Sequence, residues 1–85
     1  MGTKTEPGAF DCYENAEPDE PLFVLLARDA CAAGVVSAWA DARERRLRAF
    51  EGEAPVSEIM AELDQIAEAR KCALDMLTWR KEHRP

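Results

Sequence analysis

The sequence predicts an all-α fold: a small antiparallel helical bundle made of one short helix and a long helical hairpin, with an extended arm at the N-terminus. Three observations point there. Fifteen of the forty apolar residues are alanine, so helix formers outnumber β-branched residues and large apolar side chains are thinly spread. Two long stretches carry apolar residues at i, i+3, i+4 spacing, and "GEAP", with Gly52 and Pro55, separates them. Residues 1–20 hold Pro7, Gly8 and Pro18 among polar residues, a composition that disfavours helix and strand alike.

Taken in order, residues 1–20 read as an acidic extended arm, anchored by Phe10, Cys12 and Tyr13, and residues 21–85 as a single helical domain. Pro21 suits the first turn of a helix, with Asp19 as its cap and Glu20 favourable to the helix dipole. The run "PLFVLLARD" is apolar nearly all round, which predicts a short buried helix closed by Asp29, a residue that can also cap the next helix. The second helix is expected to place Ala32, Val36, Trp39, Ala40, Leu47 and Phe50 on one stripe and to end near Glu51, with Gly34 its weak point. Ser57 is expected to cap a third helix reaching Glu82, whose core stripe is Ile59, Leu63, Ile66, Ala67, Leu74 and Leu77. Two long helices with so short a connection should lie antiparallel.

A domain of 85 residues buries roughly 60–65% of its unfolded surface, so its stability is thin unless another chain covers part of it. The net charge of -6 is an N-terminal property: residues 1–20 hold six acids against Lys4, whereas residues 21–55 balance. Such a chain repels a phosphate backbone overall and favours a basic protein partner. Cys12, Cys31 and Cys72 lack CxxC or cysteine–histidine spacing, so reduced thiols are expected, with no disulfide framework and no zinc. No apolar leader and no run near the ~20 residues of a membrane span is present, so a cytoplasmic location, away from membranes, is expected.

The third helix has a second apolar line, Ala69, Cys72, Met76 and Trp79, which the hairpin stripe does not explain. The arm or the short helix can cover it. It can equally form an interface in which Trp79 and Met76 are buried by a second chain, with Arg80 at the rim. The cluster "RERRLR" contributes Arg43, Arg45, Arg46 and Arg48, but no aromatic platform interleaves them and Asp41, Glu44 and Glu51 flank them. The plain reading is a solvated face paired with the acidic arm or with acids of the third helix; an acidic protein or nucleic acid is the lesser reading. Arg43 and Arg70 fall on or beside the core stripes, where they would snorkel from the edge or pair with Asp11 or Asp64.

For catalysis the sequence offers little. His83 is the single histidine, three residues from the last, so no Ser/His or Cys/His arrangement is expected to be held rigidly, and no glycine-rich phosphate loop or cofactor motif occurs. The acids of "DCYENAEPDEP" lack calcium-loop spacing, and Asp11 disfavours a Cys12 thiolate. A non-enzymatic protein without metal or cofactor is the expectation.

The stretch "DCY", "N", "PDEP", "F" and "LLARD" between Asp11 and Asp29 resembles a group of short uncharacterised bacteriophage and prophage proteins. Trp39 and a late element of Glu68, Ala69, Arg70, Cys72, Ala73, Met76 and Trp79 are similar to that group as well. Members tend to carry proline after "LLARD", where this chain has Ala30. The resemblance implies phage origin and helical architecture and carries over no site residues. Small acidic phage proteins often occupy a host protein's surface, including defence complexes such as CRISPR effectors, where carboxylates substitute for nucleic-acid phosphates. The expected function is therefore host-protein binding and blocking, of anti-CRISPR or other anti-defence type, through Glu14, Glu17, Asp19 and Glu20 or through the Trp79 face. The alternative is a self-associating phage accessory protein with Cys72, Met76 and Trp79 as a homodimer seam.

Overall fold

A computed structural model of the chain describes residues 1–8, 10, 12–49, 52 and 54–84. Three helices occur among them: α1, a single turn over Cys12–Asn15; α2, Ala32–Ala49; and α3, Val56–His83. Helices α2 and α3 pack on each other as the hairpin that the "GEAP" break and the two periodic stretches predict. Ala33 and Gly34 of α2 sit beside Leu77 of α3, and Arg43 reaches Glu62, which makes the pair antiparallel.

The ends of the long helices follow backbone chemistry more than side-chain caps. Asp29 Oδ1 accepts the Cys31 amide at 2.8 Å and its carbonyl accepts the Ala32 amide, so Asp29 shapes the turn before α2 and its side chain does not cap the helix as the sequence suggests. At α3, Pro55 occupies the capping position with no side-chain hydrogen bond, and its carbonyl receives the Glu58 and Ile59 amides. Ser57 is thus already inside the helix, not its cap: proline's fixed φ of -59° sets the entry one residue pair earlier. Glu58 in the first turn and Arg80, Lys81 and His83 in the last complement the α3 dipole. Gly52, in the connection, has φ of +95°, a conformation L side chains rarely adopt.

The short helix expected over Pro21–Asp29 does not form. Residues 20–26 have no regular secondary structure and residues 27–31 make turns. Phe23 is 85% exposed and Val24 66%. A helix of nine residues is marginal alone, well below the ~12–15 residues at which isolated helices begin to persist, and needs a tertiary surface to lie on. Here the long hairpin offers none to the whole run; Leu25 and Ala27 alone are half-buried. Phe10, the arm anchor that can be described, is half-buried; the side chains of Cys12 and Tyr13, and Phe50, Glu51 and Asp11 altogether, lie outside the described residues.

Small side chains make the core. The buried described residues are Ala32, Ala33 and Ala40 of α2 with Ile66, Ala69 and Ala73 of α3, and no polar residue joins them. Met1, Val36 and Leu47 pack against the Ala40, Ile66, Ala69 cluster. Alanine at facing positions lets two helices approach closely. It also leaves little apolar volume inside.

On α2 the expected stripe is confirmed at Ala32, Val36, Ala40 and Leu47, while Trp39 turns outward to 37% exposure. On α3 Ile66 is confirmed and Ile59 is half-buried, but Leu63, Ala67, Leu74 and Leu77 are exposed. At ~100° per residue, the buried line through Ile66, Ala69 and Ala73 runs about a quarter turn from the Leu63–Leu74–Leu77 line and about a quarter turn, on the other side, from Cys72 and Trp79. The packed face of α3 therefore lies between the two apolar lines that periodicity draws.

Candidate protein-interaction surfaces

The acidic segment is held by its own turn. The Glu20 amide donates to the Glu17 carbonyl at 3.1 Å, and the Glu17 amide donates to Glu20 Oε1 at 3.1 Å, closing residues 17–20 around Pro18. Glu14, Glu17, Asp19 and Glu20 are all exposed. No ion pair joins them to the described arginines, of which Arg43, Arg48 and Arg70 pair with carboxylates of the hairpin itself. Immediately after come Leu22, Phe23, Val24 and Leu26, each about half exposed or more. Asn15, Ala16, Glu20, Pro21, Leu22 and Phe23 line one shallow recess, so the Glu20 carboxylate and exposed apolar side chains share a surface. Further along, Arg80 Nη1 donates to the Arg28 carbonyl at 2.5 Å and ties the end of this segment to α3.

Two of the four arginines in the cluster, Arg43 and Arg48, are engaged within the hairpin. Arg43 pairs with Glu62 of α3, and its guanidinium also lies 5.4 Å from the Trp39 ring centre. Its Nε is buried without a hydrogen-bond partner among the described residues. Arg48 pairs with Glu44 one turn back, at 2.8 Å. Arg70 bridges the helices to Asp41 at 3.2 Å and to Glu44. The Arg70 and Arg48 guanidiniums hold the Glu44 carboxyl below its ordinary range, and Glu44 in turn raises Arg70. The partners are thus Glu62, Asp41 and Glu44; Asp64 is exposed and does not serve Arg43 or Arg70. Pairing with an acid of the third helix holds for Arg43, while Arg45 and Arg46 are exposed.

The Cys72, Met76 and Trp79 line is half-buried by the chain itself. Trp79 stacks on His83 with ring centres 4.3 Å apart, and the Arg84 guanidinium lies 5.6 Å from the same indole. Burial pushes the Cys72 thiol above its ordinary value. Nearby the N-terminal residues fold back: Met1 contacts the core cluster and its amino group is held by Glu68. A side chain at Gly8 would strike the Met1 backbone at 2.3 Å, so glycine is what permits the return.

A further surface combines Leu63, Leu74 and Leu77, which periodicity assigns to the interior, with Val56 and Met60, to which it gives no role. Val56 is 75% exposed, Met60 55%, Leu63 45%, Leu74 65% and Leu77 55%. Beside the last two, Ala33, Gly34 and Ser37 of α2 complete a shallow groove with Arg70 and Ala73. The 4-3-4-3 spacing of residues 56, 60, 63, 67, 70, 74 and 77 was legible as a signal.

Among the described residues no three His, Cys, Asp or Glu side chains converge so as to hold a metal ion, and no helix is long and apolar enough to cross a membrane. Comparison with protein-family models, with curated proteins and with solved structures gives no match.

Proposed function

We propose that this chain is a non-enzymatic interaction protein of phage or prophage type that binds a host protein and blocks part of its surface, in the manner of an anti-CRISPR or other anti-defence inhibitor. The contact is the segment from Glu14 to Leu26. The observation that carries this reading is that unengaged, exposed carboxylates, Glu14, Glu17 and Asp19, run directly in the sequence into apolar side chains exposed as far as Phe23 at 85%, with Glu20 and Phe23 lining one recess. Exposed apolar side chains rimmed by charge are the composition of a binding surface: the apolar part supplies affinity and the charge supplies orientation and approach rate. Carboxylates arrayed this way suit a basic groove built for phosphates. The phage assignment rests on the resemblance of the stretch between Asp11 and Asp29. The Trp79 face is the lesser contact, since Cys72, Met76 and Trp79 are half-buried and the indole already stacks on His83 with the Arg84 guanidinium near it.

Capture from host lysate by the tagged chain, with mass spectrometry, tests the proposal. A Glu17→Lys, Asp19→Lys, Glu20→Lys variant and a separate Phe23→Asp variant should each lose the captured host protein, and capture by the parent chain should weaken with added salt. Retention of the same partner by both variants refutes the contact.

A further inference from the structure

We infer that the protein is an antiparallel homodimer in which α3 of one copy lies along α3 of its partner, forming a four-helix bundle. The inference concerns a different surface from the Glu14–Leu26 segment and does not depend on it.

The apolar repeat of α3 has the period of a helix–helix seam. Residues 56, 60, 63, 67, 70, 74 and 77 fall at alternating steps of four and three, the 3.5-residue period of a helix–helix seam, sustained through three heptads of the 28-residue α3. Val56, Met60, Leu63, Leu74 and Leu77 occupy it, with Ala67 and Arg70 at the centre. The hairpin leaves this seam outside, because α2 packs against the line through Ile66, Ala69 and Ala73. Isolated exposed leucines are ordinary; a continuous stripe about 30 Å long at this period is a packing surface.

Charge selects both the occupant and its direction. In a parallel pair Arg70, which Asp41 and Glu44 already hold, would sit opposite Arg70 of the partner and put two bulky polar side chains in one layer of the seam. Antiparallel, with Ala67 of one copy facing Arg70 of the other, Leu63 meets the partner's Leu74 and Met60 the partner's Leu77. Asp64 and Lys71 each stand one residue beyond a seam position, on the same flank; both are exposed, and Lys71 also pairs with Asp75 one turn on at 3.0 Å, an exposed pair that leaves its ammonium able to take a second carboxylate. The same alignment brings Asp64 of each copy beside Lys71 of its partner, twice per dimer. The antiparallel orientation thus adds two cross-pairs and keeps Arg70 opposite the small Ala67, which the parallel one does not.

Shape agrees. The groove walled by Ala33, Gly34 and Ser37 lies beside Leu74 and Leu77, where the antiparallel register delivers the second copy's Met60 and Leu63. A Cβ built on Gly34 would meet nothing within 4 Å, so this wall is open to an entering side chain. The exposed parts of the seam residues amount to on the order of 600 Å² per copy, close to the roughly 800 Å² per partner of a standard interface. A second copy also supplies what the monomer lacks, since five of the six buried described residues are alanine.

Sedimentation of the full chain from about 1 to about 200 μM decides the matter. The expected result is a concentration-dependent species of twice the 9.5 kDa chain. Leu63→Lys with Leu74→Lys should yield monomer that keeps its helical circular dichroism. Asp64→Lys alone should weaken association about tenfold, and the swap Asp64→Lys, Lys71→Asp, Asp75→Lys, which keeps the pair within the helix in reversed sense, should restore it, a rescue that a parallel or unrelated interface would not give. If the double-lysine variant unfolds, the charge swap alone decides. A strict monomer across the range, including one in which Leu22–Leu26 of the same chain shields the seam, overturns the inference. So does a dimer indifferent to the leucine variant, or one not rescued by the swap. Host capture by the Glu14–Leu26 segment is read separately and survives either outcome.

Discussion

Replacing Ile66 by alanine is the sharpest test of which side of α3 is packed. Ile66 is 2% exposed and is the one large side chain among the buried described residues. Its buried neighbours are Ala40 and Ala69, which have no rotamers with which to fill a void. Truncation should therefore leave a cavity and cost about 2–5 kcal/mol. A chain of 85 residues has about 4–13 kcal/mol in total, so the loss is a large fraction of it. With a urea slope of about 1 kcal/mol/M the unfolding midpoint should fall by roughly 2 M or more, and the thermal midpoint by at least about 10 °C. Far-UV circular dichroism at about 1 μM, below association, is the assay. Ile66→Val should cost about 0.5–1.5 kcal/mol in the same series. Leu74→Ala is the comparison that matters, since periodicity places it on the same stripe whereas the hairpin leaves it 65% exposed; its cost should stay within about 0.5 kcal/mol. An equal penalty for Leu74→Ala and Ile66→Ala, or none for either, refutes the packed face described above.

Three further outcomes are expected. Gly52→Ala should lower the urea midpoint by an amount corresponding to about 1 kcal/mol or more, because φ of +95° strains any residue with a Cβ. Glu44, lowered by Arg70 and Arg48, titrates lower in the folded chain than in the unfolded one. Its contribution is present above the ordinary carboxylate pKa and fades as pH falls through the folded value, so stability should drop on acidification and Glu44→Gln should flatten that slope in unfolding curves at stepped pH. Peptide mapping after timed alkylation near neutral pH should find exposed Cys31 modified well before Cys72, whose thiol burial holds protonated; equal rates would contradict that burial.

The sequence by itself determined that two long helices form, where they break and that they return antiparallel, because Gly52, Pro55 and the spacing of apolar residues act locally. It also placed the acids of the arm, since charge is a matter of composition. What it left open was which neighbour each apolar residue meets. Residues 21–29 had the composition of a buried helix, but a run of nine residues is stabilised only by a surface to lie on, and the hairpin offers none to the whole run. On α3 the larger leucines made the more persuasive stripe, yet Ala40, Ala69 and Ala73 let the helices come together along another line and left Leu63, Leu74 and Leu77 outside. Periodicity reports that a helix has an apolar side; when it has two, the closest approach of the backbones decides which is interior, and that distance exists only in the folded chain.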